Sequence, residues 1–541
     1  MKRSIYITGG ILILNIVLSC NKTDQSENVP IIVSPYLGIN YVAPVYSEFH
    51  KITGSNQAYS LGDVYQDQSF CTDEAVWPVR SHDSYYDDFY GRFKRLFTHN
   101  WNSSLFDLNT LWKFSYNIID LSNKNISTIN SLYPNQKEVT APVIGELEVL
   151  RSFAYYYLID FFGNVPIITK YDSTHAPVSN EVNFNTGRQM LFDTIVTTIE
   201  RNMQYLPAYV NDTAADYLST WAAYALLAKM YINSEVWTGT PKYDECIAAC
   251  NQIINSGLFN ISADYFSNFL QSNESSRENI FVIPYNQNSD ELNEGFYFMS
   301  LHYNSNLTYN TVGAPWNGFC ALPDHYHSFD STDVRRKGWE VGPQFAADGI
   351  TPIMCFASGS LVGHKLIFTA DFINPYKEND TNRYNYNYTL EVSGARLVKY
   401  EIAWGLPHIC QGVPLAVFRY ADILMLKAEA LMRKNGGVAT DEAVTLVNQI
   451  RSRAGVIPFT TSTLTLDELL AERGREFYYE GIRRQDLVRF NKFVRGTWGR
   501  NFSGPYQEQW YDRSGEGDYR NVFPIPIPIL QVTGLYQNPG Y

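Results

Sequence analysis

The sequence predicts a mainly α fold. A handful of tetratricopeptide-like helix pairs forms a scaffold, with a loop-rich, aromatic-rich face and a few short strands. Three observations support this. Helical periodicity recurs in pairs toward both ends of the chain. Between about residues 260 and 415 it gives way to Gly, Pro, Asn and Tyr-rich stretches. Aromatics make up 15% of the 541 residues, and the 40 Tyr carry rings with a polar tip that suits a surface.

The chain opens outside the fold. Lys2 and Arg3 precede the apolar run "IYITGGILILNIVLS", which is short for a membrane span, and Cys20 follows at once. Residues 1–19 are predicted to be a secretory signal ending at a lipidation cysteine. "VLSC" resembles a bacterial lipoprotein cleavage motif, although Leu18 is bulky for its position. Residues 20–40, beginning "CNKTDQSENVP", are polar and read as a tether. A single domain then covers 41–541, with helical repeats at about 41–260 and 415–495 and a binding face from about 60–100 and 260–415. Without Lys2 and Arg3 the chain has 40 basic and 55 acidic residues, a formal −15. That balance, with no basic stripe, excludes nucleic acid as the expected partner.

The helices follow in order. "SLFDLNTLWKFSYNIIDLSNKNI" precedes "VIGELEVLRSFAYYYLIDFFG", which stops at Gly163. "QMLFDTIVTTIERNMQYLP" ends at Pro207. "STWAAYALLAKMYINSEVW" starts at a Ser219 or Thr220 cap and pairs with "YDECIAACNQIINSG". Near the C-terminus, "RYADILMLKAEALMRKNGG" closes at Gly436 and "TDEAVTLVNQIRSRAG" runs from Thr440 to Gly455. "TLDELLAERGREFYYEG" opens on a capping box of Thr465 and Glu468. Small Ala with large Leu and Tyr at helical spacing is the tetratricopeptide-like signal. "ENIFVIPYN" and "ARLVKYEIAW" read as short strands.

The chain lacks GxSxG, Walker, HExxH and strand-linked GxGxxG motifs. His325 and His327 in "DHYH" have no third ligand nearby, so no metal is predicted. Glu472, Glu476 and Glu480 fall at i, i+4 and i+8 of one predicted helix, among Arg473, Arg475, Arg483 and Arg484. Paired carboxylates serve glycosidases, but interlocked Arg–Glu pairs between packed helices explain the spacing without chemistry. No CxxC occurs. Cys246 and Cys250 share a helix face as small buried hydrophobes, and the pairing of Cys71, Cys246, Cys250, Cys320, Cys355 and Cys410 is left open.

The loops carry the functional expectation. A sugar offers an apolar C–H face on which Trp or Tyr stacks, and a hydroxyl edge that Asp, Asn or Arg hydrogen-bonds. "CTDEAVWPVRSHDSYYDDFYGRF" supplies Trp77, Arg80, Asp83, Tyr85 and Tyr86. "LHYNSNLTYNTVGAPWNGFC" supplies Tyr303, Trp316, Asn317 and Cys320.

Four stretches together resemble the SusD/RagB family of outer-membrane nutrient-binding lipoproteins. They are "VLRSFAYYYLIDFFGNVPIIT", "YALLAKMYINSEVW", the run from "RYADILMLKAEALMRKNGG" to "GIRRQDLVRF", and the ending "NVFPIPIPILQVTGLYQNPGY". The resemblance spans nearly the whole mature chain. It implies four helix pairs, a lipid anchor at Cys20 in the outer membrane facing outward, and a SusC-like TonB-dependent transporter as partner. It also implies an oligosaccharide or polysaccharide ligand, sometimes a peptide, and no enzymatic activity. No cofactor is implied, and calcium is left open. Carried onto this sequence, the family's site selects Trp77, Arg80, Asp83, Tyr85 and Trp316, then Tyr303 and Cys320. "DEAVWPVR" resembles a subgroup with a W-x-x-R element beside the site. Ser81-His82-Asp83-Ser84-Tyr85 departs from the Gly-Asp-Trp that often follows, which leaves the sugar undetermined. The rival readings are a glycosidase using loop carboxylates such as Asp83 and Asp324, and a peptide- or protein-binding scaffold.

Overall fold

The computed structural model describes residues 37–49, 60–78, 80, 88–172, 183–208, 217–273, 276–285, 295–355, 361–373, 375–376, 390–406, 412–494 and 518–541. Cys20, Asp83, Tyr85, Tyr86 and Cys410 lie outside them.

The predicted helices form, and their caps explain where they start. Phe106–Leu132 and Lys137–Phe161 pack as an antiparallel hairpin. The second begins six residues before the predicted start and carries Pro142 inside it. Pro142 is the sixth residue of this helix, so it forfeits one intrahelical N–H bond without setting the boundary. Phe184–Asn202 packs on that hairpin. Thr220–Ile232 starts at Ser219, whose hydroxyl accepts a bond from Ala222 N–H at 3.2 Å. Thr440 caps Asp441–Ala454 in the same way, and left-handed Gly455 closes it. Thr465 accepts from Glu468 N–H at 3.1 Å, one arm of the predicted capping box at Leu466–Phe477.

Tyr243–Asn255 packs against both Thr220–Ile232 and Tyr420–Lys434. The helical scaffold is therefore continuous in space although about 160 residues intervene in sequence. Strand Asn279–Ile283 leaves the scaffold and strand Leu415–Arg419 returns to it. They pair antiparallel, with Val282 opposite Ala416 and Ile283 opposite Leu415. This short ladder is the neck of the loop-rich face. The returning strand was not expected, because its apolar run continues directly into the helix at Tyr420. Of "ARLVKYEIAW", Arg396–Leu397 pairs with Trp339–Glu340.

Helix Leu61–Phe70 lies inside the segment expected to be loop. Ser60 and Asp63 form a reciprocal capping box, with Asp63 N–H to Ser60 Oγ at 3.2 Å and Ser60 N–H to Asp63 Oδ2 at 2.9 Å. The aromatic excess turns largely inward: Tyr155, Tyr156 and Tyr157 are all buried.

The acidic series on the last scaffold helix is structural, but its geometry differs from the expected one. The helix ends at Phe477, and left-handed Tyr479 carries the chain round to Glu480. Glu476 accepts from Arg335 at 3.1 Å, Arg419 at 2.9 Å and Arg453 at 2.5 Å. Glu472 accepts from Arg451 at 2.5 Å and Arg475 at 2.8 Å, and forms an ion pair with Arg335 at 2.7 Å. Burial alone would raise both carboxyls. The surrounding guanidinium charges outweigh it and hold each at about 2. Of the sequence neighbours, Arg475 joins this network. Arg473 instead pairs with Asp422 and Asp486, Arg483 with Asp73, and Arg484 with Asp160.

Candidate functional site: a tryptophan loop on a buried support

The two predicted loops meet. Ala75–Val76 pairs antiparallel with Cys320–Ala321, and Leu322 N–H donates to Glu74 C=O at 3.0 Å. Upstream, Arg483 grips Asp73 through two bonds of 2.7 Å. Glu74 accepts from Ser69 Oγ at 3.0 Å and Tyr479 N–H at 3.3 Å, and its burial pushes its carboxyl up to about 8. The segment is thus fixed to the scaffold before it reaches Trp77.

Trp77 and Arg80 then turn inward, which corrects the expectation that they face solvent. Trp77 is 5% exposed, stacks on Phe93 at 4.8 Å and meets Phe70 edge-on at 6.1 Å. Its ring lies over Gly318: a Cβ there would stand 2.4 Å from the indole. Any side chain at 318 would displace the tryptophan, so this glycine is required by the close approach. Stacked on Phe93 and buried, the Trp77 ring has no open face on which a sugar can stack in this arrangement.

Arg80 is buried, and its guanidinium donates to four main-chain carbonyls. These are Asn317 at 2.9 Å, Gly318 at 3.0 Å, Leu390 at 2.8 Å and Ser393 at 2.6 Å. Arg396 reinforces the same junction, donating to Asn317 Oδ1 at 2.7 Å, Glu391 C=O at 2.8 Å and Ser393 C=O at 2.8 Å. Burial pushes both guanidinium pKa values down, and the neighbouring charge of Arg80 adds to the effect on Arg396. Cys320 is also buried, close enough to Gly394 that a Cβ on that left-handed glycine would lie 2.3 Å from its sulfur. Trp77, Arg80 and Cys320 therefore support the 316–320 turn from below.

What that turn presents is Trp316. It is half-buried, edge-on to Phe298 at 5.3 Å, and held by its N–H bond to Phe298 C=O at 2.6 Å. Asn317 follows in a left-handed conformation and Gly318 N–H donates to Met299 C=O at 2.8 Å. Tyr303, also half-buried, starts a short 3-10 turn beside His302. His302 Nδ1 accepts from Asn304 N–H at 3.1 Å, so Nε2 carries the proton and donates to Glu391 Oε2 at 2.8 Å. Burial pushes this histidine's pKa down, in keeping with a neutral ring. The pair ties the Tyr303 turn to the segment held by Arg80 and Arg396.

The other sequence candidates go elsewhere. His325 is buried and pushed down to about 3, whereas His327 meets Asp371 at 3.0 Å. Among the described residues no group of three His, Cys, Asp or Glu side chains could hold a metal ion. Cys71, Cys246, Cys250, Cys320 and Cys355 are free thiols. Sequence reasoning missed Trp404, 62% exposed and the most exposed tryptophan among the described residues. It is the last residue of the predicted strand "ARLVKYEIAW" but lies instead in a turn, and its one sequence signal is the "WG" pair.

Two family models match the chain. "Starch-binding associating with outer membrane" covers residues 47–232 and "SusD family" covers 409–541. The chain is similar to the starch-binding protein SusD of Bacteroides thetaiotaomicron, with 25% identity over 441 residues, 73% of this chain and 72% of the relative. It is 26% identical over 411 residues to SusD-like protein P38 of Formosa agariphila, covering 71% of this chain and 72% of the relative. In fold it resembles surface glycan-binding protein A of Bacteroides thetaiotaomicron, solved with laminarihexaose. That match has a TM-score of 0.66 at 19% identity and covers 93% of this chain and 99% of the other. A laminarin-binding SusD-like protein gives a TM-score of 0.67 at 18% identity, over 94% and 99% of the two chains. With SusD-type models matching toward both ends and SusD-type structures covering the helical scaffold and inserted face together, the chain belongs to the SusD/RagB family.

Proposed function

We propose that this protein is a cell-surface lipoprotein, anchored through Cys20, that captures oligosaccharides and passes them to a TonB-dependent outer-membrane transporter without cleaving them. The observation that carries the binding role is the half-buried Trp316, held on a turn fixed by two buried arginines. The names of its relatives, a starch-binding protein and a surface glycan-binding protein, support the ligand class. Glu472 and Glu476 are unsuited to general-acid work, being ionised and shared among arginines.

Affinity is expected to be modest, on the order of 10 µM to 1 mM, since an open platform hides little area. One stacking ring contributes about 1 kcal/mol beyond burial, or roughly fivefold in affinity. Trp316→Ala should therefore weaken binding at least severalfold in affinity gels made with starch, laminarin and other polysaccharides, with an unchanged circular-dichroism spectrum. A folded variant that binds like the wild type moves the site away from this loop.

The anchor has its own test. Cys20→Ala should release the protein from outer-membrane fractions in a density gradient, and wild type purified in detergent should bring the transporter with it. Persistent flotation of the variant with lipid, in cells lacking that transporter, contradicts the anchor. Recovery of the wild type without a transporter contradicts the partnership.

A further inference from the structure

We infer that Trp404 is a second sugar platform, extending the Trp316 loop into a site for longer neutral oligosaccharides. The inference rests on the proposed glycan-binding role and adds a subsite to it. Trp404 stands on a turn locked to the Trp316 loop by two main-chain bonds. Gly405 N–H donates to Tyr309 C=O at 2.9 Å, and Val312 N–H donates to Leu406 C=O at 3.2 Å. Leu406 is buried in the same apolar cluster that supports Trp316 and Tyr309. The two tryptophans therefore share one foundation. Val312 is four residues from Trp316, at most about 14 Å of extended chain.

The local chemistry suits a sugar. The Trp404 ring is 62% exposed, although its neighbour Leu406 is 2% exposed. A tryptophan that served only to pack would be expected to bury its ring, as Leu406 buries its side chain. Single exposed apolar residues are ordinary, but Val312, bonded to Leu406 on the Trp404 turn, is itself 77% exposed, so Trp404 is not alone there. Gly405 and Asn310 are both left-handed, and the Asn310 amide nitrogen lies 3.8 Å from where a Cβ of Gly405 would be. An aromatic face with a bare backbone and an exposed amide beside it matches a sugar's apolar face and hydroxyl edge.

The test uses the full-length mature protein, its Trp404→Ala variant and its Trp316→Ala variant. Affinity gels made with starch, laminarin, xyloglucan and galactomannan identify a retarding polysaccharide. Its trisaccharide and hexasaccharide are then titrated calorimetrically. Trp404→Ala is expected to weaken the hexasaccharide about three- to tenfold and leave the trisaccharide unchanged, whereas Trp316→Ala weakens both. If Trp316→Ala weakens binding and Trp404→Ala binds both oligosaccharides like the wild type, the second platform is refuted and the glycan-binding role stands. If none of the four polysaccharides retards the wild type, the neutral-sugar site fails with both its platforms. Because Trp404 is largely exposed, its variant should melt with the wild type, and a matched melting temperature confirms that a loss of binding is local.

Discussion

Arg80→Ala should abolish measurable oligosaccharide binding and lower stability by about 3–5 kcal/mol. The variant takes the guanidinium away from four carbonyls: Ser393 C=O keeps Arg396 and Leu390 C=O keeps Ser393 N–H, but the buried Asn317 and Gly318 carbonyls lose their side-chain donor. An orphaned buried acceptor costs roughly 1–3 kcal/mol, and such costs do not simply add, because the segments relax. Relaxation here means that the 316–320 turn lifts away and Trp316 loses its position. Arg80→Lys should restore little, since one ammonium cannot reproduce a planar fork that reaches four acceptors. Urea denaturation and calorimetric titration on the same samples provide the check. A variant of wild-type stability that has lost sugar binding would place Arg80 in direct contact with sugar and contradict a supporting role.

Glu476→Gln should destabilise the protein by about 3–5 kcal/mol and leave sugar affinity intact, because it breaks one member of a buried ion network and strands its partners. Arg335, Arg419 and Arg453 all converge on that carboxylate. The pH dependence follows in sign. The folded carboxyl is held at about 2, below the ordinary 4.5, so its contribution is fully present above about pH 4.5 and is lost as pH falls toward 2. The wild type should lose stability steeply across that window, and Glu476→Gln less steeply. Equal slopes in denaturation curves from pH 5 to pH 2.5 would show that Glu476 is not the titrating group. Normal stability with lost binding would reopen a catalytic or ligand role for it.

The scaffold was legible because its signals are local. Ser219, Thr440 and Thr465 each sit next to the helix they cap, and Gly455 ends its helix by its own left-handed backbone. The site was legible only as a neighbourhood. "CTDEAVWPVR" and "GAPWNGFC" do meet, through Val76 and Cys320, yet the residues with the strongest sugar-binding look, Trp77 and Arg80, face inward. Nothing near Trp77 announces that its ring will close over Gly318. The carbonyls that satisfy Arg80 are 237 to 313 positions away and are backbone atoms, which leave no mark on residue identity. The Arg–Glu network shows the same limit. Its structural character followed from spacing, but Arg335, Arg419 and Arg453 come from remote segments. Trp404 was passed over for the opposite reason, since a tryptophan ending a predicted strand ordinarily packs and this one is exposed by a turn bonded to Tyr309.

In the proposed site, Trp77 and Arg80 support the turn and Trp316 meets the sugar. A crystal structure with the tightest-binding hexasaccharide tests it most directly. The expected result is a sugar ring stacked on the Trp316 indole, with Trp77 still closed over Gly318 and Arg80 still bonded to its four carbonyls. A sugar stacked on an exposed Trp77, or bound away from the 303–316 loop altogether, would contradict it.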